Sequence, residues 1–195
     1  MFLDAKSFLI HKIKKGNLLR YTWNYEIYDP ETNEKIADVK NELKGILKIL
    51  GPKIRKNFAP KTIGIYSIKD GTKALTIKMS PQSAKISVFD SAEKLIARMD
   101  SKFLSGSYYT VYDADGTTIG RINGSVMSRE FLLKGPHDNE LGMITKSLQD
   151  SCGNDCCRAA TDFAVVLTDN AGFSAQAVKA SLLAAGLAVD MVLTK

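Results

Sequence analysis

"YTVYDADGTTIGRI", Tyr109 to Ile122, is a complete β-hairpin written in one short stretch. Tyr109 and Val111 are apolar at alternate positions, Asp113 to Gly116 supply turn-forming residues, and apolar residues resume at Ile119 and Ile122. Alternation with period two buries one face of a strand, while Asp and Gly adopt turn conformations readily. The same design recurs in "YEIYDPETNEKIADV" from Tyr25, "ISVFDSAEKLIARM" from Ile86 and "FLLKGPHDNELGMI" from Phe131. Asp29, Asp90 and Gly135 stand where Asp113 does. Each copy closes on one pattern: a branched aliphatic, a small residue, any residue, an apolar one. These are Ile36-Ala37-Asp38-Val39, Ile96-Ala97-Arg98-Met99, Ile119-Gly120-Arg121-Ile122 and Leu141-Gly142-Met143-Ile144. A degenerate copy, "YSIKDGTKALTIKM" from Tyr66 to Met79, has Asp70-Gly71 as a tight hairpin turn.

An isolated hairpin is marginal in water, so these units must pair side by side. Five hairpins, with further strands at 6–13 and 162–168, predict about a dozen antiparallel strands in one domain over residues 1–195. A sheet of that size curls, and closure into a barrel removes its exposed edges. The recurrent Ala or Gly marks a place where a neighbour approaches the backbone closely. A propeller would need a four-stranded period of roughly 40 residues, which is absent.

Such a barrel is too wide for its own side chains to fill, and the end of the chain offers the filler. "SAQAVKASLLAAGLAVDMVLTK", Ser174 to Lys195, is the most apolar stretch. Lys179 and Asp190 interrupt it, leaving ten uncharged residues from Ala180 to Val189. A membrane span needs about 20. The stretch therefore predicts a buried core helix rather than a transmembrane one, with small residues at Ala177, Ala180, Ser181, Ala184 and Ala188.

Hairpins ending in "IGRI" and "LGMI", followed by "DFAVVLTDNAGFSAQAVKASLLAAGLAVDMVL" from Asp162 to Leu193, resemble the phospholipid scramblase and LURP-one-related families. Both belong to the Tubby C-terminal-like group. The resemblance spans nearly the whole chain and implies a closed barrel of about twelve strands around a buried C-terminal helix. For function it implies either calcium-dependent lipid movement, as in scramblases, or phosphoinositide binding and transcription-related roles, as in Tubby proteins. The calcium loop of scramblases does not carry over: "LTDNAGFS" offers Asp169 and Asn170 but no further acid.

Charge points to a partner. The net charge is +6, with 16 Lys/Arg against 8 Asp/Glu in residues 1–80 and 11 against 13 in residues 81–195. No acid occurs between Glu42 and Asp70, where seven cations do. That run reads either as a solvated loop or as a contact for lipid headgroups or nucleic acid. Gly51-Pro52 and Pro60 bracket Lys53, Arg55, Lys56 and Lys61 as a loop, making these four the candidate ligand-binding residues. The leading expectation is a non-enzymatic module that recognises anionic phospholipid headgroups. A lipid scramblase and a nucleic-acid-binding barrel are the alternatives, the latter weakened because Phe58 is the lone aromatic within that loop.

No nucleophile elbow, phosphate-cradling glycine loop or metalloprotease pair is present, so neither catalysis nor a cofactor is expected. Trp23 reads as packing. "DADG" at 113–116 lacks the distal glutamate of a calcium loop and coincides with a repeat turn. Cys152, Cys156 and Cys157 form no disulfide framework and suggest a reducing, cytoplasmic setting, peripheral to a membrane at most. Grouped with His137 they could hold a soft metal, but their spacing is not a standard zinc pattern, and a loop of free thiols is the plainer reading. His11 lies in a strand pattern with no metal partner nearby in sequence.

Overall fold

Apolar residues at every second position do place one side of each strand inside. The computed structural model describes residues 5–15, 22–42, 60–81, 84–101, 107–125, 130–148, 161–168 and 175–193. Twelve strands form a closed antiparallel barrel in which sequence neighbours pair throughout and the last strand closes on the first. They are β1 (Ser7–Lys15), β2 (Thr22–Tyr28), β3 (Lys35–Asn41), β4 (Lys61–Ser67), β5 (Lys73–Met79), β6 (Lys85–Phe89), β7 (Leu95–Asp100), β8 (Ser107–Asp113), β9 (Thr118–Ser125), β10 (Glu130–Lys134), β11 (Glu140–Leu148) and β12 (Thr161–Leu167). The α-helix α1 (Ala175–Leu193) follows. Closure pairs Ser7 with Val166 and Ile10 with Phe163.

The four-residue pattern has a geometric cause. In every hairpin the register skips one residue just after the turn: Ile36, Ala74, Ile96, Ile119 and Leu141. This is a β-bulge, in which two residues oppose one. The bulged residue is the branched aliphatic of the pattern, and it packs towards the core beside the next, inward residue. Two successive side chains thus compete for one interior space, so one must be small. The pairs are Ile36-Ala37, Ile96-Ala97, Ile119-Gly120 and Leu141-Gly142. The degenerate copy reverses the order, with Ala74 bulged and Leu75 inward. Its combined volume is kept although its pattern is not.

The glycines in this position are close-approach sites. A Cβ on Gly142 would collide with Leu182 of α1 and come within 2.8 Å of the Val166 carbonyl oxygen. The turns are likewise built alike. The Asp90 carboxylate accepts the Ala92 and Lys94 N–H groups, and the Asp113 carboxylate accepts those of Asp115 and Thr117. A left-handed residue completes each turn: Asn33, Gly71, Glu93, Gly116 or Asp138. "DADG" is thus a hairpin turn. The Asp70-Gly71 turn is wider than a two-residue loop, since Ser67 N–H donates to the Thr72 carbonyl across it.

α1 runs through the barrel and lies closest to β6, β7, β11 and β12. From Ala177 to Asp190 every residue is buried except Lys179, which is half-buried. Leu182, Leu183 and Leu187 join Phe8, Ile27, Ile77, Phe131 and Phe163 in a single core. Ala177, Ala180, Ser181, Ala184 and Ala188 are all buried, as a helix amid a sheet requires. No helix among the described residues is long and apolar enough to cross a membrane.

Candidate functional site

An up-and-down barrel places successive connections at alternate rims. The five hairpin turns, at 29–34, 68–72, 90–94, 114–117 and 135–139, all lie at one rim. The opposite rim carries the strand ends that border 16–21, 43–60, 80–84, 101–106, 126–129 and 149–160. α1 starts at the turn rim and ends at this second rim, where Asp190 meets residues of β1 and β2.

Three of the four candidate cations, Lys53, Arg55 and Lys56, lie outside the described residues, as do Cys152, Cys156 and Cys157. Lys61 is the first residue of β4, opposite Met79 in register and half-buried. Alternation puts it on the same side as Ile63 and Ile65, the inner one. It therefore stands at the mouth of the barrel rather than on its outer wall.

That mouth is lined with polar groups which the surrounding apolar pattern did not announce. Phe8 and Ile10 point inward, and the next residue of that parity is Lys12. Its ammonium forms an ion pair at 2.6 Å with Asp190 of α1, and both side chains are almost fully buried. The Tyr25 hydroxyl donates to the same carboxylate oxygen at 2.9 Å. Burial, then the nearby Asp190 charge, raise the Tyr25 phenol well above its ordinary value. Asn41, inward beyond Val39 on β3, has a buried amide oxygen without a partner. A charge taken from water is tolerable only when paired, and Lys12 with Asp190 meets that condition.

The start of the basic segment is fastened on the outside. Glu42 N–H donates to the Thr62 carbonyl, continuing the β3–β4 ladder by one step. The Glu42 carboxylate accepts the Tyr66 hydroxyl at 2.6 Å and pairs with the Lys73 ammonium at 3.0 Å. It lies where a side chain on Gly64 would be, so any larger residue there would displace the Glu42 carboxylate and the Tyr66 ring. Glu42 raises the Tyr66 phenol and the Lys73 ammonium above their ordinary values through these hydrogen bonds. Next to it, Lys35 bridges Glu26 and Asp38, and its pKa is pushed up to about 12, chiefly by the hydrogen bond to Asp38. Lys35 and Lys73 are therefore bound to acids already, and the half-chain's excess of positive charge does not rest on them.

The chain has a solved structural neighbour. An Arabidopsis thaliana protein of known X-ray structure superposes with a TM-score of 0.55 over 97% of this chain and 98% of its own, at 15% identity. Likeness at that identity concerns the fold alone: the closed barrel with its C-terminal helix is an architecture that nature uses elsewhere. No family model matches the sequence. No curated protein matches it either.

Histidine and acid placement gives no metal cluster among the described residues. His11 is half-buried on the outer wall, edge-on to Tyr28 at 4.9 Å, and His137 is exposed in its turn.

Proposed function

We propose that this protein is a non-enzymatic binding module of the Tubby C-terminal-like group, recognising anionic phospholipid headgroups through the basic residues of its first half. The observation that carries the reading is the charge distribution: seven cations and no acid between Glu42 and Asp70. The two strand ends that border residues 43–60 share a rim, and the acid before the run, Glu42, is engaged with Tyr66 and Lys73. The barrel with a helix inside supports the group assignment, because that combination is what the sequence resemblance implies. Basic residues near an anionic surface contribute about 1 kcal/mol each. Four of them, Lys53, Arg55, Lys56 and Lys61, suffice for reversible recruitment.

Co-sedimentation with vesicles of phosphatidylcholine, with and without phosphatidylserine, tests the reading. Binding should require the acidic lipid and weaken with salt. Changing all four cations to Glu should lower partitioning by on the order of thirtyfold, even if only half of them contribute. Equal binding to neutral vesicles would sink the proposal.

A further inference from the structure

The two ends of the barrel carry opposite charge. The hairpin turns at one rim, 29–34, 68–72, 90–94, 113–117 and 135–139, hold nine Asp or Glu against Lys69 and Lys94, a net −7. The segments that join strands at the other rim, 16–21, 43–60, 80–84, 101–106, 126–129 and 149–160, hold nine Lys or Arg against Asp150 and Asp155, a net +7. Turn chemistry explains part of the acidic rim, since the carboxylates of Asp29, Asp70, Asp90 and Asp113 accept turn N–H groups. Glu31, Glu34, Glu93 and Asp115 are exposed and their carboxylates take no part in that bonding. The imbalance is larger than the turns need.

Strand ends repeat the division. Lys40, Lys78 and Lys85 are exposed, each within one residue of a strand end at the basic rim, and none pairs with an acid among the described residues. Lys40 and Lys78 lie over the rings of Tyr66 and Phe89, at 4.9 and 4.4 Å from the centroids. Of the acids near this rim, Glu42, Asp100 and Asp190 each face a cation, namely Lys73, Arg98 and Lys12, while Glu130 is exposed.

Distance makes the separation count. A seven-residue strand such as β4 spans about 23 Å, and a tilt of about 40° sets the rims roughly 18 Å apart. The Debye length at physiological salt is about 8 Å. An anionic plane against the basic rim meets its cations at close range and feels the acids through some two screening lengths. Laid along the side of the barrel, the same plane would meet both rims at once, and their charges would cancel.

We propose that the protein docks end-on to an anionic membrane, its whole basic rim against the headgroups and its acidic rim turned away. This rests on the lipid-binding reading above and widens the contact from one segment to a complete end of the barrel, with Lys40, Lys78 and Lys85 included. Docked so, α1 points its C-terminal end, and the Lys12–Asp190 pair with it, at the membrane.

Lysine acetylation of the full chain, read by mass spectrometry with and without phosphatidylcholine–phosphatidylserine vesicles, tests the orientation. Vesicles should slow acetylation of Lys40, Lys78 and Lys85 severalfold and leave Lys69 and Lys94, exposed in the turns, at their free rates. Lys78→Gln with Lys85→Gln should weaken partitioning by on the order of thirtyfold, although neither belongs to the basic segment. Glu31→Gln with Glu34→Gln removes two charges of the opposite sign at the far rim and should leave partitioning at physiological salt nearly unchanged. Vesicle binding with equal protection at both rims, or with Lys40, Lys78 and Lys85 unprotected, would overturn end-on docking and leave the headgroup reading standing. Failure to bind these vesicles at all would take down both.

Discussion

Lys12 and Asp190 stand 178 residues apart in the chain and meet at 2.6 Å inside the mouth of the barrel. The pair ties the helix to the first strand and fixes how far along the barrel α1 sits. Breaking one side strands a buried charge. Asp190→Leu should therefore lower unfolding free energy by about 3–5 kcal/mol, whereas Lys12→Met with Asp190→Leu should cost far less than the two single changes added together. Urea unfolding of the four proteins measures the coupling; strict additivity would show that the two charges act independently.

Alkaline pH should weaken the fold through the tyrosines. Burial pushes the Tyr109 phenol up to about 12, and burial together with Asp190 pushes Tyr25 well above its usual value. In the unfolded chain both titrate near 10. Above pH 10 the unfolded chain gives up protons that the folded one keeps, so stability complete below pH 10 drains away as pH rises towards 12. The Tyr109 share is about 2–3 kcal/mol. Thermal unfolding from pH 8 to 11.5 should show the decline, and Tyr109→Phe should make it shallower.

The reversed bulge in the β4–β5 hairpin makes a compensating swap testable. Leu75→Ala alone removes a fully buried side chain and should cost about 2–5 kcal/mol. Adding Ala74→Ile restores the aliphatic-then-small order of the other four hairpins and should recover a good part of that loss. If the double variant is no more stable than Leu75→Ala, the two positions do not share one space.

The helix is the core's central member, so its removal should be fatal. Deleting residues 174–195 withdraws Val178, Leu182, Leu183 and Leu187, each completely buried and each worth roughly 1.5–3 kcal/mol. The sum approaches the whole net stability of a typical domain. Circular dichroism and gel filtration should find no cooperative, monomeric product. Ala184→Trp, which overpacks a residue with no exposed surface, should act in the same direction. A smaller version is Gly142→Ala, whose new methyl would press on Leu182 and the Val166 carbonyl, at about 1–3 kcal/mol.

Hairpins, closure and the buried helix were all legible in the chain, because each follows from a local period repeated many times. The meaning of the four-residue pattern was only half legible. Its small residue announced close approach, but the bulge that demands it is a matter of register between two strands. The degenerate copy departs from the pattern because Ala74 and Leu75 exchange roles. Asp190 was readable as a charge that interrupts an apolar run, not as one end of an ion pair, since its partner lies at the other end of the sequence. Parity would have found Lys12: it follows Phe8 and Ile10 at the next inward position. Of the candidate cations, Lys61 alone falls among the described residues, and its inward parity could have been read from Ile63 and Ile65.

Closure of the barrel by β1 and β12 sets the order in which the molecule can be assembled during synthesis. The ribosome releases β1 first, but β1 has only one partner until β12 emerges some 150 residues later. α1, which must end up enclosed, is made after every strand that encloses it. Until α1 is made, the inward faces of the strands have no helix to pack against. Pairings so distant in sequence form slowly, and exposed apolar sheet invites aggregation meanwhile. The core is therefore complete only once α1 has been made, and a chain halted before Ala175 would leave the inner face of every strand without its central member.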